Sequence, residues 1–216
     1  MDSMFEGCKS LVVYSNAVGK NNFNATWFDT SKCETMARLF FGCSKIESLN
    51  LEGWTVPNVT DMNNMFAGCS NLENPFSGAY FSWDTTKVTN MSSMFEGCSS
   101  LDDISVELAE LETTNVTDMS RMFAMRDALT KLDVSTWNVS NVSDMTEMFQ
   151  NCGNITTIYA KDPTNWQNES KTTIDKSINM FDACVKLKGH EAYQEGTTTY
   201  KNDISKAHTG WYFTKK

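Results

Sequence analysis

One string limits what this chain can fold into: Met-Phe-x-Gly-Cys. It stands complete at residues 4–8, 65–69 and 94–98, and degraded at 39–43, 148–152 and 180–184, while Met122-Phe123 keeps only its first half. The landmark phenylalanines fall at 5, 40, 66, 95, 123, 149 and 181, so the gaps are 35, 26, 29, 28, 26 and 32. A 26-residue unit lengthened by loop insertions accounts for these gaps. A unit that short cannot bury a core alone. Successive units must therefore stack and share one.

Counting from each Phe turns the repeat into columns. Position −1 is Met or Leu, and −4 is Met36, Met62, Met91, Met119 and Met145. Position −7 is Val59, Val88, Val116 and Val142, with Cys33 and Ile174 as variants. The set −7, −4, −1, 0 has the spacing of one helical face. Thr60, Thr89, Thr117 and Ser143 at −6 suit a helix N-cap, with Asp61, Asp118 and Asp144 next for the helix dipole. Glycine or asparagine at +2 suits a left-handed helix end. The columns thus predict a helix of about two turns per unit. The later Leu-x-x-Leu-x-Leu part alternates with period two and predicts a short strand. Strand plus short helix per unit is the plan of a right-handed leucine-rich-repeat solenoid, an α/β fold with short parallel strands and short helices.

The fuller pattern Asn-Val-Thr-Asp-Met-x-x-Met-Phe-x-Gly-Cys-x-x-Leu-x-x-Leu-x-Leu-x-x-Trp is cleanest from 58 and from 141. It resembles the BspA-type, DUF285 leucine-rich repeat family of bacterial and mycoplasmal surface proteins. The resemblance covers residues 1–187, a seven-unit array. Residues 188–216 keep Tyr193, Tyr200, Trp211, Tyr212 and Phe213 and are expected to act as a C-terminal cap. Gly210-Trp211-Tyr212-Phe213-Thr214 is similar to the segment that often closes such arrays. The resemblance implies an extracellular or cell-surface place and an adhesion or interaction role, and supplies no catalytic residue. Departures are Arg126 in the cysteine column, Pro75 in a strand column and an irregular insert around 15–30.

Chemistry-bearing motifs are sparse. Seven cysteines include no Cys-x-x-Cys, and six of them (8, 43, 69, 98, 152, 184) share the +3 column. A ladder of buried, reduced thiols acting as small hydrophobes is expected, not disulfides or a zinc site. The methionine column reads as core. Trp54, Trp83 and Trp137 stand at −12, with Trp27 and Trp166 filling that role at small offsets, and core or turn packing is expected. Eight Asn-x-Ser/Thr sequons, at Asn24, Asn58, Asn90, Asn115, Asn138, Asn141, Asn154 and Asn168, arise largely because the repeat spells Asn-Val-Thr, and read as caps and turns. His190 and His208 are the two histidines, and no P-loop, Gly-x-Ser-x-Gly or His-Glu-x-x-His occurs. No enzyme, cofactor or metal is therefore expected. A net charge of −9, from 27 acids against 18 bases, argues against nucleic acid and anionic membrane surfaces. No apolar run is long enough to insert in a membrane, and Met1-Asp2-Ser3-Met4 lacks the basic start of a signal peptide. The chain opens in mid-repeat, as a fragment of a longer repeat protein would.

Binding residues are expected where the columns leave freedom. Outward strand positions lie at +8 (Val13, Ser48, Asn74, Asp103, Lys131, Thr157) and +10 (Ser15, Asn50, Phe76, Ser105, Asp133, Tyr159). Phe76 and Tyr159 are the aromatic exceptions in a polar row, and Phe76 leads into the inserted Tyr80 and Phe81. Phe76, Tyr80, Phe81, Ser105, Asp133 and Tyr159 are thus the candidate ligand-binding patch. Its expected ligand is a protein or a glycan held by the strand face and inserted loops. The alternative is a structural spacer or assembly subunit of a surface layer or filament, self-assembling through its ends.

Overall fold

A computed structural model describes residue 4 and residues 22–73, 83–161, 179–187 and 213–215. The strands are short: β1 (Asn22–Asn24), β2 (Ser48–Asn50), β3 (Lys131–Asp133), β4 (Thr157–Ala160) and β5 (Phe213–Lys215). β1 pairs with β2, and β3, β4 and β5 form a second sheet in that order. All three pairings are parallel. The register joins equivalent repeat positions: Phe23 to Leu49, Leu132 to Ile158, Ile158 to Phe213. The core runs through the units as columns. Phe40, Phe66, Phe95, Phe123, Phe149 and Phe181 stack ring on ring, with centroids 5.5–6.0 Å apart.

The helix expected in each unit is absent from the described residues. Their single α-helix, α1 (Ser105–Leu108), lies on the strand side. Where helices were expected, the backbone turns twice at positive φ. Position −2 (Arg38, Asn64, Ser93, Arg121, Glu147, Asn179) has φ of 55° to 59°, and +2 (Gly42, Gly68, Gly97, Met125, Asn151, Ala183) has φ of 58° to 75°. No α-helix contains such residues.

The hydrogen bonds show what replaces it. Amides at −4, −2, 0 and +2 donate to the next unit, as Met62 to Asn90, Asn64 to Ser92, Phe66 to Met94 and Gly68 to Glu96. Amides at −1, +1 and +3 donate three residues back in their own unit, as Met65 to Met62, Ala67 to Asn64 and Cys69 to Phe66. The −3 amide donates to the side chain at −5, as Asn63 to Asp61 Oδ1 and Ser120 to Asp118 Oδ1. Position −5 itself forms a parallel bridge from unit to unit: Thr35, Asp61, Asn90, Asp118, Asp144. Each backbone donor from −4 to +3 thus has an acceptor, which a buried backbone requires.

Two physical reasons favour this turn ladder. A two-turn helix would leave about half its amides and carbonyls unpaired. Helices also pack about 8–10 Å apart, far wider than the ring spacing of this stack, whereas hydrogen-bonded backbones sit about 4.8 Å apart. The expected N-caps and dipole acids take other roles. The hydroxyls of Thr60, Thr89, Thr117 and Ser143 donate to carbonyls of the preceding unit. The aspartates close side-chain turns.

Insertions shift strands along the chain. The eighth residue after Phe5 is Val13, yet the strand paired to β2 is Asn22–Asn24. Val13 and Ser15 lie outside the described residues. In the last unit the corresponding start would be 189, and Phe213–Lys215 takes that place against β4.

Candidate recognition face

Stacking in register aligns the outward +10 residues within each sheet: Asn24 beside Asn50 in one, and Asp133, Tyr159 and Thr214 in turn in the other. Ser105 stands next to Asp133, since its Oγ accepts the Asp133 amide at 2.8 Å. The structure therefore brings together Ser105, Asp133 and Tyr159 of the candidate patch. Phe76, Tyr80 and Phe81 lie outside the described residues. Tyr159 is half-buried.

The row is stiffer and less free than an open sheet face. Oδ1 of Asn24, Asn50 and Asp133 each accepts the amide two residues on, from Thr26, Glu52 and Ser135, at 2.9–3.0 Å. These side chains end the strand by turning it. Ser105 departs from the strand expectation. It opens α1, its hydroxyl donates to Asp103 Oδ1, and the Asp103 carboxylate also accepts the Ser105 amide. Ser105 thus stands in for the backbone partner that α1 removes from the β3 edge.

The turn after the strand holds the feature that column reading misplaced. Trp54, Trp83 and Trp137 are 3–6 % exposed. Two of their indole N–H groups donate across units, Trp54 to Ala25 and Trp137 to Leu108, at 2.7 and 3.0 Å. That bond is what lets a Trp column be buried. Trp27 does not join it, being 86 % exposed. The β1–β2 register equates Phe23 with Leu49, so Phe28 falls on Trp54 and Trp27 on Gly53 at the tip of the turn. Phe28 is the residue packed against the core. Twelve residues before Phe40 already lies Phe28, so strict counting would have found this. Close by, the hydroxyl and amide of Ser31 bond the exposed Asp29 carboxyl and hold it below its usual range.

The cysteine column is free of disulfides among the described residues, with Cys43, Cys69, Cys98 and Cys152 buried and Cys184 half-buried. Each thiol with a described Phe in the unit before it donates to that Phe's carbonyl: Cys69 to Phe40, Cys98 to Phe66, Cys152 to Phe123 and Cys184 to Phe149, at 2.9–3.1 Å. Burial pushes the Cys98 thiol up to about 12 and the Cys152 thiol up to about 11. They are structural donors, not nucleophiles. The sequon asparagines have turn and ladder duties. Asn58, Asn115, Asn141 and Asn154 donate to carbonyls of the preceding unit, and Asn24, Asn90 and Asn138 accept from the amide two residues on. Asn168 lies outside the described residues. No group of three or more His, Cys, Asp or Glu among the described residues is placed to hold a metal.

No curated protein and no solved structure matches the chain. The family described as "Mycoplasma protein of unknown function, DUF285" matches twice, over residues 1–106 and 76–193, and the two matches overlap. Together they span most of the sequence, so the chain belongs to the DUF285 family.

Proposed function

We propose that this chain is a non-enzymatic recognition or adhesion module of a cell surface. In this reading it is a solenoid of the BspA leucine-rich type, right-handed, that takes a protein or glycan on its strand side. The observation that carries the reading is Trp27, an indole displayed at the tip of a rigid turn in a chain that buries its other described tryptophans. The fold gains nothing from that exposure, and the same turn in the next unit has Gly53. An exposed aromatic on a fixed backbone is what binding surfaces use. Ser105, Asp133 and Tyr159, side by side on the strand side, supply polar groups to orient a ligand.

A glycan and protein array probed with the chain would supply the ligand. Trp27→Ser and Tyr159→Ser are expected to weaken that binding at least about ten-fold together, with the fold intact, as removal of a central aromatic does. Binding unchanged in the double variant would overturn the reading, as would a chain that binds nothing and assembles regularly in solution.

A further inference from the structure

The turns after β1 and β2 are two versions of one structure. The Phe28 amide donates to the Ala25 carbonyl and closes the first on Thr26 and Trp27, while the Trp54 amide donates to Leu51 and closes the second on Glu52 and Gly53. The parallel register sets the two side by side, one strand spacing or about 4.8 Å apart. Bonds between the units pin them. The Ala25 amide donates to the Asn50 carbonyl, the Trp54 indole to the Ala25 carbonyl and the Thr30 hydroxyl to the Thr55 carbonyl, at 2.7–2.9 Å. The backbone of Trp27 is therefore fixed while its indole is exposed. Gly53, in the equivalent position of the next unit, has φ +82°, and a β-carbon there would meet nothing within 4 Å. The neighbouring turn offers no side chain at that position and leaves open space.

The groups around the indole are polar. Asn24 and Asn50 are partners in register, and the turns occupy only their Oδ1 atoms. Their Nδ2 groups make no hydrogen bond among the described residues, so two amide donors stand in adjacent units at the foot of the turns. The carboxyls of Asp29 and Glu52 are exposed, and the bonds from Ser31 keep Asp29 ionised at neutral pH. The other exposed large apolar side chains among the described residues are Met4, Met125 and Val185, each within four residues of a landmark Phe. Trp27 is a lone exposed ring among donors and acceptors. A protein partner is gripped by clustered apolar anchors whose surroundings exclude water. A sugar ring instead needs one aromatic face for its C–H groups, with donors and acceptors around that face for its hydroxyls.

We propose that Trp27, Asn24 and Asn50 form a site for a neutral glycan, one pyranose of which stacks on the indole in the space that Gly53 leaves open. The Nδ2 groups donate to sugar oxygens, and the carboxylates of Asp29 and Glu52 accept from hydroxyls. Sialylated and sulfated glycans are disfavoured, because those two carboxylates repel a further negative charge. The proposal names the ligand class of the recognition module and rests on that reading.

The test applies the full chain to an array of neutral, sialylated and sulfated glycans and, beside it, to an array of proteins free of glycans. Neutral glycans are expected to bind, and Trp27→Ser to weaken that binding at least about ten-fold. Asn24→Asp with Asn50→Asp keeps the oxygen that each turn needs, removes both donors and is expected to weaken it comparably. Adding the bound glycan is expected to shift the parent's tryptophan emission to shorter wavelength. Trp27→Phe, which keeps a ring, is expected to retain binding and lose that shift, a readout that does not depend on a variant failing to bind. Preference for sialylated or sulfated glycans, neutral-glycan binding unchanged in Trp27→Ser, or an emission shift that persists in Trp27→Phe would overturn the site. Binding to glycan-free protein alone would overturn the glycan and leave the recognition reading standing, whereas binding to neither array would overturn both.

Discussion

The two sides of each unit obey different rules. On the turn side, the ladder of amides runs from Met36 to Asp182, keeps one register, and varies only in side chains. On the strand side, β2 and β3 belong to separate sheets, α1 occupies one strand position, and strands at both ends of the array are displaced by insertions. Counted along the sequence, the length variation between successive Phe residues falls outside the −5 to +3 segment that forms this ladder. The contrast separates what holds the stack together from what can change. A backbone whose amides are paired to its neighbours tolerates neither insertion nor deletion, whereas a side that pairs through three residues per unit tolerates both. Binding surfaces evolve on the permissive side of such a scaffold.

The comparison can be broken most forcefully in the ring column. Phe95 is fully buried, between Phe66 and Phe123 at 5.5 and 6.0 Å. Phe95→Ala is expected to cost about 3–5 kcal/mol by chemical denaturation. A loss below about 1 kcal/mol would mean that the stack does not depend on this column.

Alkaline pH should act next most strongly, again through the turn side. An unfolded thiol ionises near 9.0, but Cys98 holds its proton to about 12 and Cys152 to about 11. Between those values the folded chain binds more protons than the unfolded one, so stability falls as pH rises. Stability measured by chemical denaturation is expected to fall from about pH 9 upward, by several kcal/mol in all at pH 11. A flat profile to that pH would place these thiols in water.

Substitution at −2 sharpens the distinction between turn ladder and helix. Asn64 has φ +55°. Asn64→Val is expected to cost about 1–2 kcal/mol and Asn64→Gly to be near neutral, because a β-branched side chain resists the left-handed region. A helix would give the reverse order, since glycine is the worse of the two there. Thermal melts of the pair decide between them.

A smaller effect is expected from the surface. Arg121 bridges three units through Glu96, at 2.6 Å, and Glu147. Burial raises the Glu96 carboxyl, but the bonds from Arg121 and Ser93 outweigh it and hold the group below its usual range. The contribution is present above pH about 4.5 and lost as pH falls through the lowered value. Glu96→Gln is expected to cost at most about 1 kcal/mol at neutral pH and nothing at low pH. An equal cost at both would mean that shape, not charge, matters there. Least of all, Trp27→Ser is expected to shift stability by no more than about 0.5 kcal/mol. A larger loss would place that indole in the fold and remove it from the candidate recognition face.

The sequence alone determined the unit, its phase and its core. Spacing between Phe residues gave the stack, and of the described Phe, Met and Leu named from the columns only Met4 is exposed. It also marked one left-handed position, because glycine at +2 is a backbone signal. The second, at −2, left only a faint trace in Asn64 and Asn179, since Arg38, Ser93, Arg121 and Glu147 are ordinary residues forced into αL by their neighbours. That single dihedral separates the turn ladder from a helix. Side-chain periodicity could not choose, because two successive three-residue turns bury the same columns as two helical turns. The choice rests on the neighbouring unit, whose carbonyls stand one backbone spacing away and take the amides a helix would have kept. The same holds for the candidate recognition face. Asn50 and Asp133 looked like free outward groups, yet the chain needs their oxygens to turn. Trp27 looked like core, yet the register of β1 on β2 gave its slot to Phe28. Which side chains a stack leaves free depends on hydrogen bonds between residues some 26 apart, and those form only once the units are in contact.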